Sequence, residues 1–451
     1  MFHVEANTSR MRKRDRLNRL LNIRTYVRGI IAILVVAMCL GRLLYFAILV
    51  THMVQSLHMN DFGKFYYSAQ LFLHRGGMYE PTLATAIPVG QSEVREFLNM
   101  NPPHFHLLIL PFAFLEPGHA LLLWTILNLV ALGISLRLIG AELGFRWTAM
   151  RVFAAVVMVL FCSATETIVI TGQLTFLLLL PITLAWIAAR RGNWNRAALY
   201  LGICTSIKPF IGIFLIYLVL ARRLQAAATM AAAATSCYLI GLVVFGWQAH
   251  LDWLRALSAV DWTWASMNGS LAALPARAFG DTPYYVPILY SPRLVAPITA
   301  ILALLVIAIS LTIFLRDESQ DTGDRTFAGL LITAQLVSPL GWVYYLWFVA
   351  GPALALWRTR HDRPSVLRGR LALMSVPGLV APLGVTLLWN HSTWGGITLG
   401  SLYVWSTLLL WGTVLADWRS ATKFPIEARS TDDVYYRPGG PMSGSAQCYP
   451  V

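Results

Sequence analysis

An acidic side chain, Asp61, stands shortly after a long apolar run, within His58-Met-Asn60-Asp61-Phe62-Gly63-Lys64-Phe65-Tyr66-Tyr67. A carboxylate held near a membrane interface can take a proton from a hydroxyl within hydrogen-bond reach. Aspartate ahead of an aromatic-rich helix also serves as an N-cap, and the local sequence allows either role. A second candidate is Lys208, an ammonium in the middle of the apolar stretch 197–221 and followed by Pro209. A charge in such a run is costly and marks a pathway or a ligand site, a phosphate being one partner that fits. The alternative is a lysine that snorkels to the surface. Proline breaks the local hydrogen-bond ladder, which is tolerated where backbone lines a cavity.

Further polar residues interrupt other apolar runs. Gln173 closes Glu166-Thr-Ile-Val-Ile-Thr-Gly-Gln173, and Tyr345 ends Ser338-Pro339-Leu-Gly341-Trp342-Val-Tyr344-Tyr345. Each can line a polar cavity or act as packing glue between helices. The stretch 247–292 carries Trp262, Trp264, Asn268, Gly269, Ser270 and Arg277. Aromatic faces stack on sugar rings, while asparagine and arginine bind hydroxyls or phosphate. Tryptophans also form belts at bilayer surfaces. His104 and His106 sit two apart, which on a helix points them to different faces and argues against a metal pair. The motifs of a P-loop ATPase, a serine hydrolase with GxSxG and a zinc protease are missing.

These residues need a framework, and composition says which kind. Of 451 residues, 57% are hydrophobic and only 12% charged, about half the charged share of an ordinary soluble domain. Mean hydropathy is +0.61, and several apolar runs are long enough to span a bilayer. This excludes a soluble enzyme, a disordered chain, a disulfide scaffold and an alternating outer-membrane barrel. The net charge of +14 sits mainly in short loops and the N-terminal tail, so membrane orientation explains it better than nucleic acid does. Four of the five cysteines lie in apolar runs without metal spacing and read as small buried hydrophobes.

The expected fold is an all-α polytopic membrane protein with about 12 transmembrane helices. A basic cytoplasmic tail, 1–28, precedes a signal-anchor helix, and no cleavable signal peptide is expected. The membrane domain covers 29–416, with external stretches 51–102 and 247–292, and 417–451 forms a disordered cytoplasmic tail rich in Pro, Gly and Ser. Two topologies fit the middle. In one, 103–116 spans and 197–221 is one helix. In the preferred one, 103–116 is external or re-entrant and 197–221 breaks at Lys208-Pro209, which places the dense basic loops inside. No internal repeat is visible, which counts mildly against a transporter built of inverted halves.

Seven motifs in order carry a resemblance: Asp61-Phe-Gly-Lys-Phe-Tyr-Tyr67; Gly76-Gly-Met-Tyr-Glu-Pro81; Asn101-Pro-Pro103 with Pro111; Gly172-Gln173; Lys208-Pro209; Asn268-Gly-Ser270 with Arg277; and Ser338-Pro339 with Trp342. From about 55 to 350 the chain resembles glycosyltransferase family 87, polytopic enzymes of the GT-C fold that use polyprenyl-phosphate sugars. Among these it is most similar to the polyprenol-phosphate-mannose-dependent α-1,2-mannosyltransferases and related arabinofuranosyltransferases. The resemblance implies an inverting transferase in the bacterial inner membrane with its site on the external side. It implies a polyprenyl-phosphate sugar donor, a glycolipid or polysaccharide acceptor, and no cofactor or stable metal. Asp61 would be the general base. Lys208 and Arg277 are candidates to hold the phosphate, and Asn268, Gln173, Tyr345 and Tyr67 to bind substrate. Where the family often has histidine after Ser-Pro…Trp, this chain has Tyr344 and Tyr345. The competing functional class is a lipid-linked sugar flippase or secondary transporter.

Overall fold

The computed structural model describes residues 2–56, 58–89, 93–260, 262–316, 322–358, 366–389 and 392–421. Hydrocarbon offers no partner for backbone N–H and C=O groups, so apolar runs satisfy them internally as helices. In chain order come α1 (Phe2–Gln55) and α2 (Asn60–Leu73). A hairpin of β1 (Ala86–Val89) and β2 (Glu93–Glu96) follows, antiparallel with Ala86 opposite Glu96. Next is a broken helical segment, Pro103–Phe114, with α3 (His106–Ile109) between two 3-10 turns. Then follow α4 (Pro117–Glu142), α5 (Ala149–Phe161), α6 (Ser163–Thr171), α7 (Thr175–Arg190), α8 (Trp194–Ile207), α9 (Ile213–Leu220) and α10 (Leu224–Ser258). The last third holds α11 (Ala273–Phe279), α12 (Val295–Leu315), α13 (Thr322–Val337), α14 (Ala350–Arg358), α15 (Val366–Val380), α16 (Leu383–Leu387) and α17 (Leu402–Ala421).

Among the described residues, five helices are long and apolar enough to cross a membrane, or six if α5 and α6, bent by 60°, count as one. The chain is therefore a multi-pass, predominantly helical membrane protein. Other apolar runs form shorter helices, Thr175–Arg190 and Pro209–Leu220 among them, so length and composition alone do not reach the expected number of spans. The break at Lys208-Pro209 is present: α8 stops at Ile207 and a 3-10 turn, Pro209–Gly212, leads into α9. Residues 103–114 form short turns rather than one long helix.

Helix α1 begins at Phe2 and runs to Gln55, and α10 runs to Ser258, so helix continues into both stretches read as external. The hairpin Ala86–Glu96 departs from an all-α fold, and its Pro88 occupies a two-stranded ribbon, where proline is tolerated at an edge. Helix α17 extends to Ala421, and the remainder of the expected tail, 422–451, lies outside the described residues.

Two clusters pair opposite charges within the bundle, which offsets the cost of burying them. Arg42 of α1 donates to Glu166 Oε2 of α6 and, 3.1 Å away, to the Leu160 carbonyl, while the Tyr45 hydroxyl donates to Glu166 Oε1 at 3.1 Å. This cluster clips α1 to the bend between α5 and α6. At the ends of α4, α7 and α13, Arg190 pairs with Asp324 and Arg191 with Glu142, and Trp186 Nε1 donates to Asp324 at 2.8 Å.

Candidate active site

Met59 and Asn60 adopt left-handed backbone angles (φ 46° and 49°) and turn the chain from α1 into α2. Asp61 therefore falls inside the first turn of α2, and Met59, which makes no side-chain cap, holds the capping position. The N-cap role open to Asp61 in the sequence is not the one it takes. Its carboxylate is gripped from two sides. Oδ2 accepts from Gln173 Nε2 at 2.6 Å, and Oδ1 accepts from Lys64 Nζ at 2.8 Å. Lys64 is only 4% exposed. Its ammonium also lies 5.0 Å from the Trp262 ring centroid and 5.6 Å from that of Phe97, within the range of cation–π attraction.

Gln173 reaches Asp61 because α6 ends on Gly172 in the left-handed region (φ +67°). A Cβ there would stand 2.7 Å from Phe62 Cβ, so glycine is what lets α2 pack against this turn. The Gly172 carbonyl accepts from Trp124 Nε1 at 2.8 Å, which fixes the turn against α4.

Lys208 occupies the break between α8 and the following 3-10 turn. Its Nζ donates to Asn101 Oδ1 at 3.0 Å and lies 5.9 Å from the Tyr345 ring centroid. Asn101 is itself held. Its N–H and Nδ2 donate to Asn99 Oδ1 at 3.0 and 3.2 Å, and its carbonyl accepts from Tyr79 Oη at 2.6 Å. Asn99 Nδ2 donates to Ser68 Oγ at 2.9 Å and meets His106 Nε2 at 2.7 Å. His106 thus serves as a buried support, one asparagine removed from the Lys208 partner.

The Asp61 carboxylate and the Lys208 ammonium open on one cavity of about 550 Å³. Asp61, Lys64, Asn99, Asn101, Gln173 and Lys208 supply polar lining, while Phe65, Phe210, Trp262, Leu340, Trp342, Tyr344 and Tyr345 supply rings and apolar wall. Two ammonium groups and one carboxylate face it, which suits a ligand carrying a single negative charge. The carboxylate keeps acceptor capacity beyond its two bonds, and the Lys208 ammonium keeps donors beyond the one given to Asn101. The arrangement can accept a proton at one place and hold an anion at another.

Of the expected site residues, Asp61, Gln173, Lys208 and Tyr345 line this cavity and Arg277, Asn268 and Tyr67 do not. Arg277 is 1% exposed. It donates through Nε to the Trp264 carbonyl at 2.9 Å, through Nη1 to Ser401 Oγ at 2.7 Å, and through Nη2 to the carbonyls of Ala265 and Asn268 at 2.6 and 3.3 Å. That guanidinium is engaged by three backbone carbonyls and the Ser401 hydroxyl, away from the cavity lining. Asn268, fully buried, donates to the carbonyls of Thr263 and Pro339 at 2.7 and 2.9 Å and so stitches the loop to the Ser338-Pro339 turn. Tyr67 lies on α2 against Tyr66, their ring centroids 5.3 Å apart. Replacing Arg277 with Met strands several buried acceptors, each worth about 1–3 kcal/mol. A thermal melt should fall by about 5 °C or more.

Sequence reasoning passed over Lys64, Asn99 and Asn101 as site residues. Lys64 carried a signal, since a cation three residues after an acid on a helix shares its face.

The model of glycosyltransferase family 87 matches residues 99–339. The chain is 26% identical over 345 residues to the polyprenol-phosphate-mannose-dependent alpha-(1-2)-phosphatidylinositol pentamannoside mannosyltransferase of Mycobacterium tuberculosis (strain CDC 1551 / Oshkosh), covering 70% of this chain and 73% of that protein. No solved structure matches.

Proposed function

The chain belongs to glycosyltransferase family 87, and from that premise we propose that it is an inverting transferase using a polyprenyl-phosphate sugar. It moves a mannose-like or arabinofuranose-like unit to a glycolipid or polysaccharide acceptor on the external face of a bacterial inner membrane. The observation that carries this reading is the meeting of Asp61 and Lys208 on one cavity walled by aromatic rings. The relative's use of polyprenol-phosphate mannose supports the choice of donor. The same reading counts the shorter apolar helices as members of a GT-C-like bundle of about 12 transmembrane helices.

In this mechanism Asp61 takes the proton of the acceptor hydroxyl as its oxygen attacks the anomeric carbon. The bond between that carbon and the phosphate oxygen breaks, and the electron pair leaves with the polyprenyl phosphate. Lys208 stabilises the charge that builds on the leaving phosphate, so neither metal nor cofactor is required. Attack opposite the departing phosphate inverts the anomeric configuration. Gln173 and Lys64 hold the carboxylate, and the aromatic wall of Trp342, Tyr344 and Tyr345 covers the sugar and keeps out water that would compete as acceptor.

Purified protein in lipid, given radiolabelled polyprenyl-phosphate mannose or the arabinofuranose equivalent with a glycolipid acceptor extract, should yield a labelled glycolipid with one of the two donors. No transfer from any polyprenyl-phosphate sugar, by protein shown to be folded, overturns the reading.

A further inference from the structure

A second cavity, about 720 Å³ in volume, lies where α7 and α9 end and α8 and α10 begin. Its lining includes Arg191, Asn193, Trp194, Arg222, Arg223 and Gln225. Helix α10 is one of the membrane-crossing helices and starts at Leu224, so this cavity sits at the membrane surface. Its charge is unbalanced. Arg191 is neutralised by Glu142, to which Nε and Nη2 donate at 3.1 and 2.6 Å. Arg222 and Arg223 are exposed, and among the described residues neither meets a carboxylate. Arg223 is ordered all the same: its guanidinium carbon lies 4.4 Å from the Trp194 ring centroid. Arg222 is set by a turn in the left-handed region (φ 56°). The first N–H groups of α10, at Leu224, Gln225 and Ala226, edge the same cavity, and no side chain caps them.

We propose that this cavity binds the phosphate headgroup of an anionic phospholipid from the adjoining leaflet. Two unneutralised guanidinium groups fit a phosphodiester, and basic recesses between transmembrane helices are where such headgroups settle. A lipid is favoured over free phosphate because the phosphate recess lies beside apolar surface. Leu224 is exposed at its edge, and the Trp194 ring is half-buried next to it, an arrangement that holds a glycerol backbone and the start of its chains. The site is separate from the Asp61 cavity and does not depend on the sugar reaction.

The test uses full-length protein in nanodiscs of phosphatidylcholine mixed with phosphatidylglycerol, released into detergent and weighed by native mass spectrometry. Wild type should retain one phosphatidylglycerol in preference to phosphatidylcholine. The double variant Arg222→Asn/Arg223→Gln, in which asparagine suits the left-handed turn, should lose about tenfold or more of that retention. Arg196→Gln, outside the cavity, should leave retention unchanged, and a thermal melt checks that all variants are folded. Equal retention by the folded double variant overturns the proposal. So does displacement of the lipid by inorganic phosphate at matched concentration, which would assign the recess to free anions.

Discussion

An Asp61→Asn variant is expected to fold, to bind donor and to transfer almost nothing. Turnover should fall by about 10²–10⁴-fold, the span set by losing a positioned general base. The substitution keeps the side chain's shape and removes its ability to carry off a proton. The surroundings tolerate the amide. Lys64 can still donate to Oδ1, and Gln173 Oε1, buried without a partner among the described residues, can turn to accept from the new Nδ2. Single-turnover transfer of labelled sugar measures the loss, and equilibrium binding of the donor separates it from misfolding. A variant retaining more than about a tenth of wild-type turnover would remove Asp61 from the mechanism.

Lys208→Met should fail differently. Methionine fills the same space but gives the leaving phosphate no cation, and Asn101 Oδ1 loses the donor 3.0 Å away. Transition-state charge that is no longer met should lower turnover by about 10²–10³-fold. The ground-state phosphate loses the same contact, so donor KM should rise as well. The contrast between the variants is the useful result: Asp61→Asn changes turnover with donor binding intact, whereas Lys208→Met changes both. Unaltered donor KM in folded Lys208→Met protein would place the phosphate elsewhere in the cavity, with Lys64 the next cation to test.

The parts of the site legible in the sequence were those that break a strong pattern. Lys208-Pro209 interrupts an apolar run, Gly172-Gln173 ends one, and Asp61 follows another, so each is conspicuous against hydrocarbon-facing residues. Arg277 and Asn268 break the pattern equally well, yet they serve the backbone of their own loop and of a turn as distant as Pro339, 71 residues from Asn268. Residue type does not distinguish a side chain that faces a cavity from one that ties loops together. That difference arises from long-range pairing, which local sequence does not encode. Asn99 draws no notice in a polar stretch, and Asn101 stands in the Asn101-Pro-Pro103 motif with nothing in its own type to give it a role. The helical, membrane-embedded class was legible from composition. The division of apolar runs into short helices was visible only where proline marked it, as at Pro209.

The cavity's walls come from widely separated stretches of chain, and this has a consequence for biogenesis. Asp61 emerges from the ribosome early, Gln173 follows 112 residues later, and the rings from Trp342 to Tyr345 arrive only after most helices have been handed to the bilayer. A stalled or truncated product that ends before Trp342 therefore carries Asp61, Lys64 and Gln173 without the aromatic wall that closes the cavity around them.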